Sequence, residues 1–339
     1  MHPAFAGLLT IVIGVGGCIA YYYFSNQFLD KVLFPAKGKN AGRNINRANM
    51  IRPWLFLAPA LIALGLYLAY PVVETLGLSL TERSTLADGT TAYTFVGLDN
   101  YAQMAREPKF WEALTNNFLW LLIVPAFSTM FGLLAAQLTD RIGWGAIAKS
   151  LIFMPMAISF VGAAVIWKLV YDTRPIDQEQ IGIMNAIYLS LGGEAPITWL
   201  TVPFWNSILL MVVLIWIQTG FAMVILSAAL RGIPEETVEA AIVDGANPFQ
   251  VFFKIKIPQI ASTIVVVWTT ITIVVLKVFD IVFAMTNGQW ETQVLANYMY
   301  DKLFRANDWG VGSASAMIIM LLVSPILVWN VYNARKEMR

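Results

Sequence analysis

Apolar residues in this chain gather into long runs separated by short polar stretches. The runs are roughly Phe5–Phe24, Trp54–Glu74, Asn117–Leu138, Ser150–Tyr171, Phe204–Leu230, Gln259–Met285 and Val311–Tyr332. Each is close to the ~20 residues that cross about 30 Å of hydrocarbon at about 1.5 Å per residue. The pattern predicts an all-α polytopic membrane protein with about seven transmembrane helices. Pro59, Pro125, Pro155 and Pro325 fall inside or at the edges of these runs. In lipid a proline is expected to kink a helix rather than end it, because neighbouring helices satisfy the freed carbonyl.

The polar stretches orient the spans. Residues 25–53 carry Lys31, Lys37, Lys39, Arg43, Arg47 and Arg52. Arg141 and Lys149 flank the third connection, Arg231, Lys254 and Lys256 the fifth, and Arg335, Lys336 and Arg339 the tail. Seven alternating spans put all four on one side, which the positive-inside rule makes cytoplasmic. The opposite loops, 79–112, 172–203 and 286–310, are balanced or acidic. The amino terminus is therefore expected outside and the carboxyl terminus inside. Three regions follow: 1–53, a first span with a basic linker; 54–335, a six-span core; and 336–339, a cytoplasmic tail. Val15-Gly16-Gly17-Cys18 loosely resembles a lipoprotein cleavage box. No Lys or Arg precedes it, however, and the apolar run continues through Tyr21-Tyr22-Tyr23-Phe24, so an uncleaved span with an aromatic belt at its inner end is expected.

Composition agrees with the membrane reading and removes whole classes of chemistry. The chain is 58% hydrophobic and 13% charged, against about 25% charged in soluble domains. A net charge of +1 suggests no attraction to nucleic acid. Cys18 is the one cysteine and His2 the one histidine, so no intrachain disulfide, histidine metal cluster or histidine-based triad is available. There is no phosphate loop: Gly38-Lys39 has Leu33 where the first glycine belongs. No cofactor is expected on this chain, and any ATP chemistry belongs to a partner.

The polar island at 231–258 has a shape of its own. Pro234 suits the first position of a helix, and Glu235 and Glu236 suit its first turn, where the helix dipole favours anions. The helix is predicted to run to about Asp244, with Gly245 as a left-handed cap. Asn247-Pro248 reads as the cap and first position of a second short helix, with Ala246 before it and Phe249 after it. Pro258 is expected to open the next span. Two stubby helices joined at a bend make a stiff element that a moving partner can push.

The spacing within this island is Glu239-Ala240-Ala241-x3-Gly245-x9-Ile255-x-Ile257-Pro258. It resembles the loop by which membrane subunits of ATP-driven, binding-protein-dependent importers dock on their ATPases. Phe95-Val96-Gly97-Leu98-Asp99-Asn100-Tyr101, Leu151-Ile152-Phe153-Met154-Pro155, Trp216 with Gly220-Phe221, Ile233-Pro234, and Phe279-Asp280 with Met285-Thr286 are similar to segments of maltose-type sugar permeases. Residues 54 to 335 thus resemble the MalF-like permease subunit, and within it the α-glucoside or glucosylglycerol branch. The resemblance implies an importer in a bacterial-type cytoplasmic (inner) membrane. Its partners would be a second homologous permease, an ATPase dimer holding ATP and Mg, and an extracytoplasmic sugar-binding protein; its cargo would be a small carbohydrate. It also implies the direction, import, and assigns the coupling contact to Glu239, Ala240, Ala241, Asp244 to Phe249 and Pro258. Two departures stand out: the chain adds a first span and a basic linker, and it lacks a large extracytoplasmic insertion, so contacts to the binding protein are expected from short outer loops. It also reads Asn287-Gly288-Gln289-Trp290 where Gly-Gly-Pro is common.

A sugar path needs amides or acids for hydroxyls and aromatic rings for C–H faces. Trp216, Gln218 and Phe221 of the fifth span, Lys277, Phe279 and Asp280 of the sixth, and Trp167 and Tyr171 of the fourth are the candidates. Trp167 and Tyr171, near the outer end of their span, suit an interfacial belt better, and Trp216 suits packing as well as sugar contact. Lys277 and Asp280, three apart on one helical face, equally suit a structural ion pair. Gln218 is an amide in an otherwise uncharged span, costly to turn towards lipid, so it is expected to face a partner helix or the path. Two other functions remain open at this level. A lone gradient-driven secondary transporter predicts buried mid-span relays and two similar halves. A membrane scaffold has no need of a bent lever.

Overall fold

The computed structural model describes residues 3–37, 40–85, 90–140 and 142–337. His2, Gly38, Lys39, Arg141 and Arg339, named above, lie outside the described residues, as do the side chains of Arg335 and Lys336. The chain divides into two compact units, Met1–Glu74 and Thr75–Arg339.

The first unit holds α1, Pro3–Phe28, which continues through a π turn to Leu33, and α2, Ala41–Leu64. Pro53 and Pro59 sit inside α2 without ending it. Tyr21 donates to the Leu55 carbonyl at 3.0 Å, and the Tyr22 ring stacks on Phe56 at 5.2 Å. Arg52 joins Asn26 and Asp30, so a basic residue of the linker is tied to the end of α1. The most apolar stretches of Phe5–Leu33 and Ala41–Ser79 bury nothing inside the chain.

A π turn at Gly65–Ala69 leads into α3, Tyr70–Ser79. A hairpin follows that the hydrophobic pattern did not predict: β1, Thr81–Thr85, pairs antiparallel with β2, Thr91–Phe95. After α4, Asp99–Arg106, come the two helices on which the second unit is built, α5, Pro108–Thr139, and α9, Trp205–Arg231. Ser128, Gly132 and Ala136 recur every fourth residue on α5, and this small-residue stripe brings the backbones together. A Cβ on Gly132 would run into Ala222 of α9 and come within 2.9 Å of the Met223 nitrogen. Trp120, Val124, Leu214, Met223 and Leu226 fill the core around this contact.

Between them lie α6, Gly145–Phe153, α7, Phe160–Val170, and α8, Ile183–Ser190. The predicted straight span Ser150–Tyr171 is broken: the axes before and after Ile158 differ by 105°. Pro155 sits in a 3-10 turn, Met154–Ala157, and Ile158 is extended. Ser159 then caps α7 by accepting from the Gly162 N–H at 3.1 Å. A proline followed four residues later by a good cap ends this helix where a kink was expected.

After α9 come α10, Glu235–Val243, and α11, Pro248–Gln259, which includes a π turn at Val251–Lys256. The axis bends by 71° into α12, Ala261–Leu276. Pro258 therefore lies inside α11 and does not open a span, and the second helix of the bend is longer than predicted. The predicted span Gln259–Met285 ends early, at Leu276, and a separate short helix, α13, Asp280–Met285, follows. Helices α14, Leu295–Tyr300, and α15, Trp309–Glu337, complete the chain. Among the described residues, five helices are long and apolar enough to cross a membrane, or up to seven if each bent pair counts as one span.

The turn before α14 holds non-glycine residues at positive φ, namely Asn287, Trp290 and Glu291. Asparagines anchor it. Asn116 donates to the Glu291 and Gln293 carbonyls, Asn117 accepts from the Leu295 N–H, and Asn206 donates to the Trp290 carbonyl. Nearby, Glu107 accepts from Tyr298 and Lys302. Burial, with the Glu107 carboxylate beside it, pushes the Tyr298 phenol well above the usual tyrosine range, so it remains a donor.

Candidate functional site

The broken helices leave a cavity of about 440 Å³ beside α9, walled by Met156, Ile158, Phe160, Val161, Gln218 and Asp280. Gln218 is only 6% exposed and makes no hydrogen bond among the described residues. A buried amide without a partner is costly unless a solute or water meets it. Asp280 is the first residue of α13, where the helix dipole favours its negative charge. The site thus combines an amide, a carboxylate and a Phe ring at a break in two helices.

Gln218 and Asp280 were both expected from sequence, and the fold brings them together. The wall contributed by 156–161 was not expected; its signal was Pro155 followed by Ser159. The other candidates are placed differently. Lys277 ends α12 and is exposed, while Asp280 opens α13, with no ion pair between them among the described residues. Their shared helical face is lost because the helix ends between them. Phe279 stacks on Phe283 at 4.9 Å and meets Tyr300 at 5.4 Å, and it does not line the cavity. Trp167 lies edge-on to Trp216 at 5.7 Å and tilted on Tyr171 at 5.4 Å. Tyr171 is buried and donates to the Leu209 carbonyl at 3.1 Å, which occupies its hydroxyl. Phe221 packs against the core.

The second region is the bend itself. Pro234 takes the cap position of α10, one residue earlier than predicted, with Glu235 and Glu236 in the first turn. Gly245 has φ +84°; its N–H donates to Ile242 and that of Ala246 donates to Ala241, each at 3.0 Å. This double closure is a Schellman motif, which needs a left-handed residue at that point. Asn247 and Gln250 then form a reciprocal capping box, both bonds 2.9 Å. No residue of α10 is buried. Val243 and Phe249 are 86% and 77% exposed, with Ile242 and Phe253 also open and Glu235, Glu236, Glu239 and Asp244 around them. Exposed apolar side chains rimmed by charge are of the kind found at protein contacts. Among the described residues, no group of three or more His, Cys, Asp or Glu is arranged to hold a metal ion.

Residues 13–337 match the family described as binding-protein-dependent transport system inner membrane component. The chain belongs to this family. It is thus a multi-pass inner-membrane permease component of a transport system, which replaces the reading as a lone gradient-driven transporter. The chain is 62% identical over 341 residues to the alpha-glucoside transport system permease protein AglF of Rhizobium meliloti, with 99% of each covered. That match therefore takes in the first span. The osmoprotective compounds uptake permease protein GgtC of Synechocystis sp. is 47% identical over 287 residues, covering 84% of this chain and 100% of that one. In fold, the chain is similar to a subunit of a bacterial ABC transporter involved in the import of the acidic polysaccharide alginate. The TM-score is 0.70 at 20% identity, covering 89% of this chain and 100% of that one.

Proposed function

We propose that this permease forms half of the membrane path of an ATP-driven importer for small α-glucosides. A second homologous permease supplies the other half, an ATPase dimer holds ATP and Mg, and an extracytoplasmic binding protein delivers the sugar. The α10–α11 bend meets the ATPase through Glu239, Ala240, Ala241 and the Asp244–Phe249 turn. The sugar passes Gln218 and Asp280. The cargo class is supported by the similarity to AglF, a permease of an alpha-glucoside transport system.

The observation that carries the reading is Gln218, buried, unpartnered and facing a cavity at a helix break. Broken helices around a mostly apolar site that holds a few polar groups are a usual construction of a transport site. The test is ATP hydrolysis by the complete complex in lipid against a panel of α-glucosides. One sugar, delivered by the binding protein, is expected to stimulate hydrolysis strongly. Gln218→Leu keeps the volume and removes the amide; sugar uptake is expected to fall about tenfold, the equivalent of one lost hydrogen bond in the path. Uptake unchanged in Gln218→Leu would remove this residue from the path. Uptake that follows a proton or sodium gradient without ATPase partners would sink the importer.

A further inference from the structure

At the end of the helices that carries the bend, α5, α6 and α9 meet in a closed polar knot. Asp140 follows the last residue of α5, Lys149 lies in the second turn of α6, and Ser227 sits one turn before the end of α9. The Ser227 hydroxyl reaches both Asp140 carboxylate oxygens at 3.1 Å. Lys149 donates to Ser227 at 2.8 Å and pairs directly with Asp140. Ser227 is 1% exposed, and the two charged side chains are 21% and 22% exposed. An open surface ion pair contributes little, but this one closes on a buried hydroxyl, so each member fixes the other two.

The knot lies directly behind the bend. A cavity of about 410 Å³ has Asp140 and Arg231 in one wall and Glu235, Glu239 and Lys256 in the others. Arg231 donates back to the Ser227 carbonyl at 3.3 Å, so the last turn of α9 is tied to the same point. The far end of α6 is also fixed. A Cβ on Gly220 would stand 2.6 Å from the Ile152 carbonyl oxygen, so α6 rests on bare α9 backbone two residues from Gln218. Helix α6 is thus a strut about 13 Å long, pinned by the knot at one end and by Gly220 at the other. Just past its second pin the chain breaks by 105° around the Gln218 cavity.

We propose that Asp140 is a positioning residue of energy coupling. Through Lys149 and Ser227 it makes α5, α6 and α9 answer the α10–α11 bend as one body, so that movement of the bend changes the walls of the Gln218 cavity. This rests on the reading of the bend as the ATPase contact. A merely structural ion pair has a different signature: it lowers assembly or thermal stability and leaves coupling intact in whatever complex survives.

The experiment measures the ratio of sugar-stimulated to basal ATP hydrolysis in the complete complex in lipid. Asp140→Asn and Lys149→Met are each expected to lower that ratio about tenfold, within the usual range of coupling between sites, with assembly and basal hydrolysis kept. The double exchange Asp140→Lys with Lys149→Asp is expected to restore most of it, as a direct pair requires. Ser227→Ala, which removes only a hydroxyl, should move the ratio the same way by less. Single variants with a normal ratio, or with lower melting temperature and a normal ratio, overturn the proposal. Gly245→Pro serves as the control. If it uncouples and the Asp140 variants do not, this proposal alone fails. If Gly245→Pro keeps full stimulation, the bend is not the contact and both fail.

Discussion

Two glycines, Gly220 inside α9 and Gly245 between α10 and α11, are needed for different reasons, and single substitutions separate them. At Gly245 a Cβ would meet nothing within 4 Å, yet φ is +84°. Gly245→Ala therefore suffers only backbone strain, about 1 kcal/mol. Amide exchange at residue 246 is expected to speed up about fivefold, the same energy read as local opening. At Gly220 the backbone angle is ordinary and the space is gone. Gly220→Val is expected to force α6 off α9 and lower the melting temperature of the complex by more than Gly245→Ala does. Gly245 was legible in sequence because helix, glycine, cap and proline follow in order from Glu235 to Pro248. Gly220 was legible only as part of a resemblance, since nothing local says what will pack on it. Gln218 was legible because an amide in an apolar run must face something polar. Lys277 and Asp280 misled because spacing of three implies a shared face only while the helix continues, and it stops at Leu276.

At the scale of elements, run length located every long helix, and no run revealed where a helix breaks. A hydrophobic run reports solubility in lipid, and the residues on both sides of the Ile158 break are equally apolar. The break is set by hydrogen bonding: Pro155 removes a donor and Ser159 supplies a new cap. Ser159→Ala is expected to cost about 1 kcal/mol of helix stability and to weaken the start of α7, which walls the Gln218 cavity. The readout is a raised sugar concentration for half-maximal stimulation, with Ser159→Thr, which keeps the acceptor, close to the parent. A Ser159→Ala variant with unchanged sugar dependence would mean that packing alone holds the break. The hairpin β1–β2 escaped notice because its threonine-rich strands carry no apolar stripe; four of the five residues of β2 are exposed. The bend at α10–α11 was readable because its caps are made by neighbouring residues.

For the whole molecule, orientation depends on whether each bent pair crosses the membrane or turns back. Lys31, Lys37, Arg43, Arg47 and Arg52, then Lys149, then Arg231, Lys254 and Lys256, fall on one side only if the first pair, α6 and α7, crosses. Lys/Arg bias then makes that side cytoplasmic. The native sequence has a single cysteine, Cys18, and it is exposed, so Cys18→Ser gives a clean background. Leu191 and Val243 are 82% and 86% exposed and lie on either side of α9, and Gln289 lies exposed beyond α13. In intact right-side-out vesicles, Leu191→Cys and Gln289→Cys are expected to react with a membrane-impermeant maleimide. Val243→Cys should react only after permeabilisation. If α6 and α7 instead turned back, residue 191 would return to the side of Lys149 and become protected, and α9 would carry residue 243 outward. The bend would then face away from ATP, and the cationic loops would sit against the charge rule. The labelling pattern of these three positions therefore decides at once whether the 105° break lies within a crossing helix and whether the bend stands where an ATPase can reach it.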